Sequence, residues 1–159
     1  MLAVAVRRRR AGWIALLLAA SLALTALPAR HAEAWSSAEA WSSPEGELQY
    51  RHNWARWARE IRTLRFSASL SWKAERHSQA MARKGSIYHT RCLTCVFDDY
   101  NWSVGGENVG VGASMRSLHR AFMDSPAHRR NILYRGYRYF GIGAVKSGGR
   151  MWVTVLFMG

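Results

Sequence analysis

A chain of 159 residues has room for one domain and no linker toward a second. Its 23 Lys and Arg against 10 Asp and Glu give a formal charge of +13, a balance that favours anionic partners such as phospholipid headgroups or cell-wall polymers. No DNA- or RNA-binding signature accompanies that charge, so nucleic acid is not an expected partner.

The first residues read as an export signal. Arg7 to Arg10 supply a positive start, Ala11 to Leu27 an apolar run broken only by Gly12, Ser21 and Thr25, and Ala32-Glu33-Ala34 the small residues a signal peptidase reads. The run falls short of the roughly 20 apolar residues of a membrane span, which favours cleavage over a retained anchor. Residues 1–34 are therefore read as a signal peptide, and the mature chain is expected to be secreted without a transmembrane span. The arginine cluster leaves the export route open. Removing residues 1–34 takes away five arginines and one glutamate and leaves +9. The hexapeptide AEAWSS at 32–37 and again at 38–43 is too short for a repeat architecture. Residues 35–46 are read as a tail, and the folded domain as 47–159.

Ser43-Pro44 reads as a helix cap followed by proline in the first turn. Tyr50, Trp54, Trp57, Ile61 and Leu64 then recur at spacings of four and three, a stripe expected to face the core. Arg51, Arg56, Arg59 and Arg62 would form a broad basic face in water. Tryptophan on one side and arginine on the other is also the pattern of a membrane-surface helix; the core reading is preferred. Ser67 or Ser71 can cap a second helix, with Ala74, His77, Ser78 and Met81 on its inner side and Gly85 at its end. His77 is expected to be a hydrogen-bonded core histidine.

Residues 91–104 show no periodicity and read as an irregular loop carrying Cys92 and Cys95. In an exported chain the default for such a pair is a small local disulfide. A thioredoxin-like pair would sit at a helix N-terminus after a strand, and zinc would call for a second CxxC or two nearby histidines. Glu107 enters a short strand, Asn108 to Val111. Ser114 to Met123 reads as a helix with Met115, Leu118 and Phe122 inward, and Ser125-Pro126 starts another, which fixes His128 in a first turn. A hairpin closes the chain, with Phe140, Ile142 and Ala144 alternating on one strand, Met151, Val153, Val155 and Phe157 on the other, and a turn at Ser147-Gly148-Gly149. His52 and His119 are expected to be exposed and without a role. Helices interleaved with a few antiparallel strands predict an α+β layered fold.

The chemistry concentrates in Tyr88-His89-Thr90, Gly106-Glu107-Asn108 and Ser125 to Arg129. Neutral imidazoles and a carboxylate are the usual ligands of zinc and also the usual acid/base pair. Three ligands with one open position would suit catalytic zinc, whose bound water becomes a nucleophile. A glutamate that binds the metal is not free to act as base, however, and no separate base of the HExxH kind is present. The other reading is a buried polar network that ties the strand to two helices. No serine-nucleophile motif or phosphate-binding glycine loop is visible.

The stretches LSWKAERHSQAM (70–81), YHT (88–90), GGENVGVG (105–112), AFMDSPAHRRNIL (121–133) and the closing GIGAV…MWVTVLF run in order through the chain. Together they resemble the CAP superfamily of cysteine-rich secretory proteins, antigen 5 and plant pathogenesis-related proteins, in its bacterial secreted form. That resemblance implies a three-layer α-β-α sandwich with a small antiparallel sheet. It also implies a cleft lined by two histidines and two acids, where some members bind a divalent metal. His89, Glu107 and His128 match three of these positions. The fourth falls on Ser125, with Asp124 one residue away and about 100° off along a helix. Two function classes follow: an extracellular module binding a lipid, glycan or wall polymer, and an extracellular hydrolase dependent on a metal such as zinc.

Overall fold

Helix α1 (Pro44–Trp57) begins where Ser43-Pro44 places it, with the Gly46 N–H donating to the Ser43 hydroxyl at 3.0 Å. The computed structural model describes residues 4–6 and 42–159. The remainder of the segment read as a signal peptide, and residues 35–41 of the tail, lie outside the described residues.

The face that α1 buries is not the expected stripe. Leu48, His52, Ala55 and Arg56 are inside, while Tyr50, Trp54 and Trp57 are 52, 54 and 63 % exposed. Of the stripe only Ile61 and Leu64, beyond the helix end, are buried. Arg56 supplies the reason. Its Nε donates to the Arg62 carbonyl at 2.7 Å, and its Nη1 to the carbonyls of Ile132 at 2.8 Å and Tyr134 at 3.0 Å. A buried guanidinium requires such acceptors. Burial first, and the nearby Arg135 second, lower its pKa to about 10. With Leu48, His52, Ala55 and Arg56 turned inward, the helical period carries Tyr50, Trp54 and Trp57 to the far side.

Helix α2 (Ala68–Lys84) is capped by Ser67, whose hydroxyl accepts the Leu70 N–H, and stops at a left-handed Gly85. Leu70, Ala74, Ser78 and Met81 make its buried stripe, with His77 at the margin. The segment after it is not wholly irregular. A short helix α3 (Leu93–Val96) opens at the Cys92–Cys95 disulfide, and Leu93, Phe97 and Trp102 are buried.

The sheet runs β1 (Val4–Val6), β3 (Val104–Gly112), β5 (Arg150–Met158), β4 (Tyr139–Ser147), β2 (Arg65–Phe66). Its three long strands are antiparallel, and β4 and β5 form the expected hairpin around Gly148-Gly149. Strand β3 is longer than Asn108–Val111 because it pairs with β5 along its whole length, from Gly105 opposite Met158 to Gly112 opposite Met151. Strand β2 adds a two-residue parallel pairing to β4, and β1 an antiparallel one to the start of β3.

Alternation along β5 divides the core. Val153, Val155 and Phe157 pack with Leu48 of α1, with Met115, Leu118 and Phe122 of α4 (Met115–Asp124), and with Ile132 of α5 (Pro126–Leu133). Leu156 and Met158 point the other way, to Leu70 and Ala74 of α2 and to Leu93, Phe97 and Trp102. The result is the expected α+β sandwich, helices on both faces of one sheet. Helix α4 carries the inward stripe expected of it and is capped reciprocally by Ser114 and Ser117. Ser125 opens α5 without a side-chain cap bond, because its backbone also ends α4.

Helix α2 lies directly on β4. The Ser78 hydroxyl donates to the Gly143 carbonyl at 2.9 Å, and a Cβ built on Gly143 collides with the backbone of Ala74 and Glu75. Backbone cannot rotate aside as a side chain can. Gly143→Ala is therefore expected to cost about 3 kcal/mol, read as a lower urea midpoint. An unchanged midpoint would mean that α2 lifts freely from the sheet.

Candidate functional site

Three segments converge on the start of β3. The strand brings Glu107 and Asn108, the chain after α2 brings Tyr88-His89-Thr90, and α5 brings His128 and Asn131. Gly106 admits them: a Cβ there would run into the Tyr137 hydroxyl and come within 3.2 Å of the Asn131 amide oxygen.

The Glu107 side chain is fully buried, and its carboxylate is closely partnered. Oε2 accepts from His89 Nδ1 at 2.7 Å and from the Thr90 N–H at 3.0 Å, and Oε1 accepts from the Thr90 hydroxyl at 2.6 Å. His77 Nε2 lies 3.9 Å from Oε1 and donates to the Tyr88 carbonyl at 2.8 Å. A carboxylate can only accept, so His89 carries its proton on Nδ1 and leaves Nε2 as an acceptor. The His89 side chain is 31 % exposed, so the ring is partly open to solvent.

Asparagines hold the other half together. Asn131 Nδ2 donates to the Glu107 carbonyl at 3.1 Å and to Asn108 Oδ1 at 2.9 Å, and Asn108 Nδ2 donates to the His128 carbonyl at 3.1 Å. His128 rests its ring on Phe122, 5.1 Å between centroids. Burial, and then the proximity of His89, lower its pKa. Both effects favour the neutral form of the His128 ring.

The structure brings His89 and Glu107 into direct contact and sets His128 beside His89. Asp124 is exposed at the end of α4, away from this network, and Ser125 is half-buried beside it. Among the described residues no group of three or more His, Cys, Asp or Glu side chains is arranged to hold a metal ion. Sequence reasoning quoted Thr90 and Asn131 within their motifs but gave them no role. No local pattern marks them, because their bonds to Glu107 are long-range contacts.

Residues 49–157 match the model of the cysteine-rich secretory protein family, CAP. The chain belongs to the CAP family. Among curated proteins it is 30 % identical over 106 residues to the uncharacterized protein YkwD of Bacillus subtilis (strain 168), a match covering 62 % of this chain and 40 % of that protein. The chain therefore spans well under half the length of that relative. Among solved structures it is similar to an outer surface protein from Borrelia burgdorferi, with a TM-score of 0.67 and 16 % identity over 74 % of this chain and 93 % of that one. It is also similar to an extracellular protein containing a SCP domain from Bacillus anthracis str. Ames, with a TM-score of 0.65 and 17 % identity over 72 % of this chain and 40 % of that one. At such identities the likeness is one of fold. The CAP fold here places the GEN strand, the YHT turn and the SPAHRRNIL helix around one carboxylate. No helix among the described residues is long and apolar enough to cross a membrane.

Proposed function

We propose that this CAP domain is an extracellular binding module whose His89–Glu107–His128 cleft takes a lipid, glycan or wall-polymer ligand without turning it over. The observation that carries this reading is the state of Glu107. Its carboxylate accepts three hydrogen bonds from His89 and Thr90 and is closed off from solvent. A general base must reach the proton it removes, and this one is fixed to its neighbours. The leader-like residues 1–34 support a location outside the cell, as do the outer-surface and extracellular relatives.

The donor set does not suit three convergent metal ligands, because Glu107 is already engaged. The nitrogens left for an ion would be His89 Nε2 and one on His128, with Glu107 as the partner that orients His89. A divalent ion such as zinc held by them would supply Lewis acidity. The hydrolase reading then needs a base that this cleft does not present.

The test is hydrolysis of p-nitrophenyl esters and phosphates with zinc added, for wild type and a folded His89→Ala/His128→Ala variant. Equal rates are expected. A rate that falls more than about tenfold in the variant would make the cleft a hydrolytic centre.

A further inference from the structure

Trp54 and Trp57 are 54 and 63 % exposed on the outer side of α1, with ring centroids 4.9 Å apart, and Tyr50 stacks on Trp54 at 6.4 Å. A contiguous exposed aromatic patch marks an interaction site. The helix does not roll to bury it, because Arg56 locks the opposite face to the carbonyls of Arg62, Ile132 and Tyr134.

Cationic side chains gather at the same end of the helix. Arg59, Arg62 and Arg65 follow Trp57 and are exposed, as are Arg135 and Arg138. Arg135 Nη1 donates to the Glu60 carbonyl at 3.3 Å, and the Arg65 N–H to the Arg138 carbonyl at 2.9 Å, so the two stretches are neighbours in space. Glu60 is the one acid between Trp57 and Arg65. Among the described residues none of these five arginines takes part in a salt bridge.

We infer that the Trp54–Trp57 face of α1, with Arg59, Arg62, Arg65, Arg135 and Arg138 beside it, is a docking surface for an anionic lipid bilayer. Indole rings settle at the boundary of headgroups and acyl chains, and arginines beside them meet the lipid phosphates. A glycan would need open ring faces to stack on, and here the rings turn toward one another. None of these residues belongs to the His89–Glu107–His128 site, so the surface would hold the domain at a membrane whatever the cleft binds.

The test uses the full chain with its disulfide oxidised and a nitrobenzoxadiazole label on Ala58→Cys, an exposed position next to Trp57. Because the label reports only the end of α1, attachment through the apolar run at 11–27 does not imitate the response. Vesicles of equal phosphatidylglycerol and phosphatidylcholine are expected to brighten the label and shift its emission to shorter wavelength, and phosphatidylcholine alone to leave it unchanged. Trp54→Ser/Trp57→Ser should raise the lipid concentration at half response at least ~tenfold. Arg59→Gln and Arg62→Gln should each raise it about fivefold, and added salt should act in the same direction. Four results would overturn the inference. They are sedimentation with vesicles while the label stays in water, an equal response to both lipids, a label already shielded before lipid is added, and a response to a soluble polyphosphate but not to vesicles. The third would assign the face to the chain's own N-terminal segment or a second copy, and the fourth to a polymer.

Discussion

Glu107→Gln is expected to lower the free energy of unfolding by about 2 kcal/mol, measured as a shift of the urea midpoint at constant slope. The substitution keeps shape and volume but turns one oxygen into a donor. Both carboxylate oxygens already receive hydrogens, from His89 Nδ1 and the Thr90 N–H on one side and the Thr90 hydroxyl on the other. With the amide nitrogen on the Oε2 side, a donor faces the Thr90 N–H, which cannot adjust. With it on the Oε1 side, the Thr90 hydroxyl must turn to accept, and the bonds from His89 and the Thr90 N–H then go to a neutral oxygen in place of a charged one. Thr90→Val separates the contributions. It removes one hydroxyl donor and leaves the other two bonds, so its cost should be nearer 1 kcal/mol. A Glu107→Gln midpoint within error of wild type would show that the carboxylate is not the hub that joins the YHT turn to β3. Ligand binding that survives the substitution in folded protein would agree with the binding-module reading, because no proton transfer by Glu107 is then required.

The segments that meet at Glu107 were legible in the sequence, because YHT, GEN and SPAHRRNIL are short motifs with local causes. The bonds that join them were not: the donors from Thr90 and Asn131, and the press of Tyr137 on Gly106, are long-range contacts that no local pattern announces. The hairpin and the α4 stripe of Met115, Leu118 and Phe122 were legible, since alternation and 3.6-residue spacing report directly on one buried face. Helix α1 was not. Its aromatic stripe has the right period, but period cannot tell which of two faces is covered, and the buried one carries Leu48, Ala55, a histidine and an arginine. Arg56 is inside because carbonyls from 62, 132 and 134 meet there, a long-range coincidence that no local pattern announces. His52 and His119 were misread together with that face. They are not exposed and idle: His52 is wholly buried, and its Nδ1 lies 3.2 Å from His119 Nδ1.

That histidine pair should make the fold sensitive to acid. His52 Nε2 is buried without a hydrogen-bond partner, and the ring sits 6.2 Å from Phe122 and 6.3 Å from Phe157. Burial and then the neighbouring His119 lower its pKa to about 3, against a raising hydrogen bond to the Leu48 carbonyl, and Arg56 adds the smallest lowering effect. Burial and Arg51 lower that of His119 to about 4. The charges facing the pair are thus the two arginines of α1, both of which disfavour protonation. A folded pKa below the unfolded value of 6.5 means that the unfolded chain binds more protons between the two. The stability these neutral rings allow is therefore complete above pH 6.5 and is lost as pH falls toward 3. At 1.36 kcal/mol per pH unit, His52 alone should cost roughly 3 kcal/mol by about pH 4.5. His119 is partly exposed and adds less, because solvent screens its charge. His52→Phe keeps a ring between Phe122 and Phe157 and removes both the titration and the unpartnered nitrogen. It should unfold at the wild-type urea concentration or slightly above it at pH 7.5, and at a clearly higher one at pH 5. Other acid-sensitive groups act on both proteins alike, so the difference between the two pH slopes isolates this site. Parallel slopes would mean that water or a movement of α1 reaches His52 and lets it take up a proton in place. The lock that Arg56 sets on α1, and with it the outward turn of Trp54 and Trp57, would then be looser than its three carbonyl bonds imply.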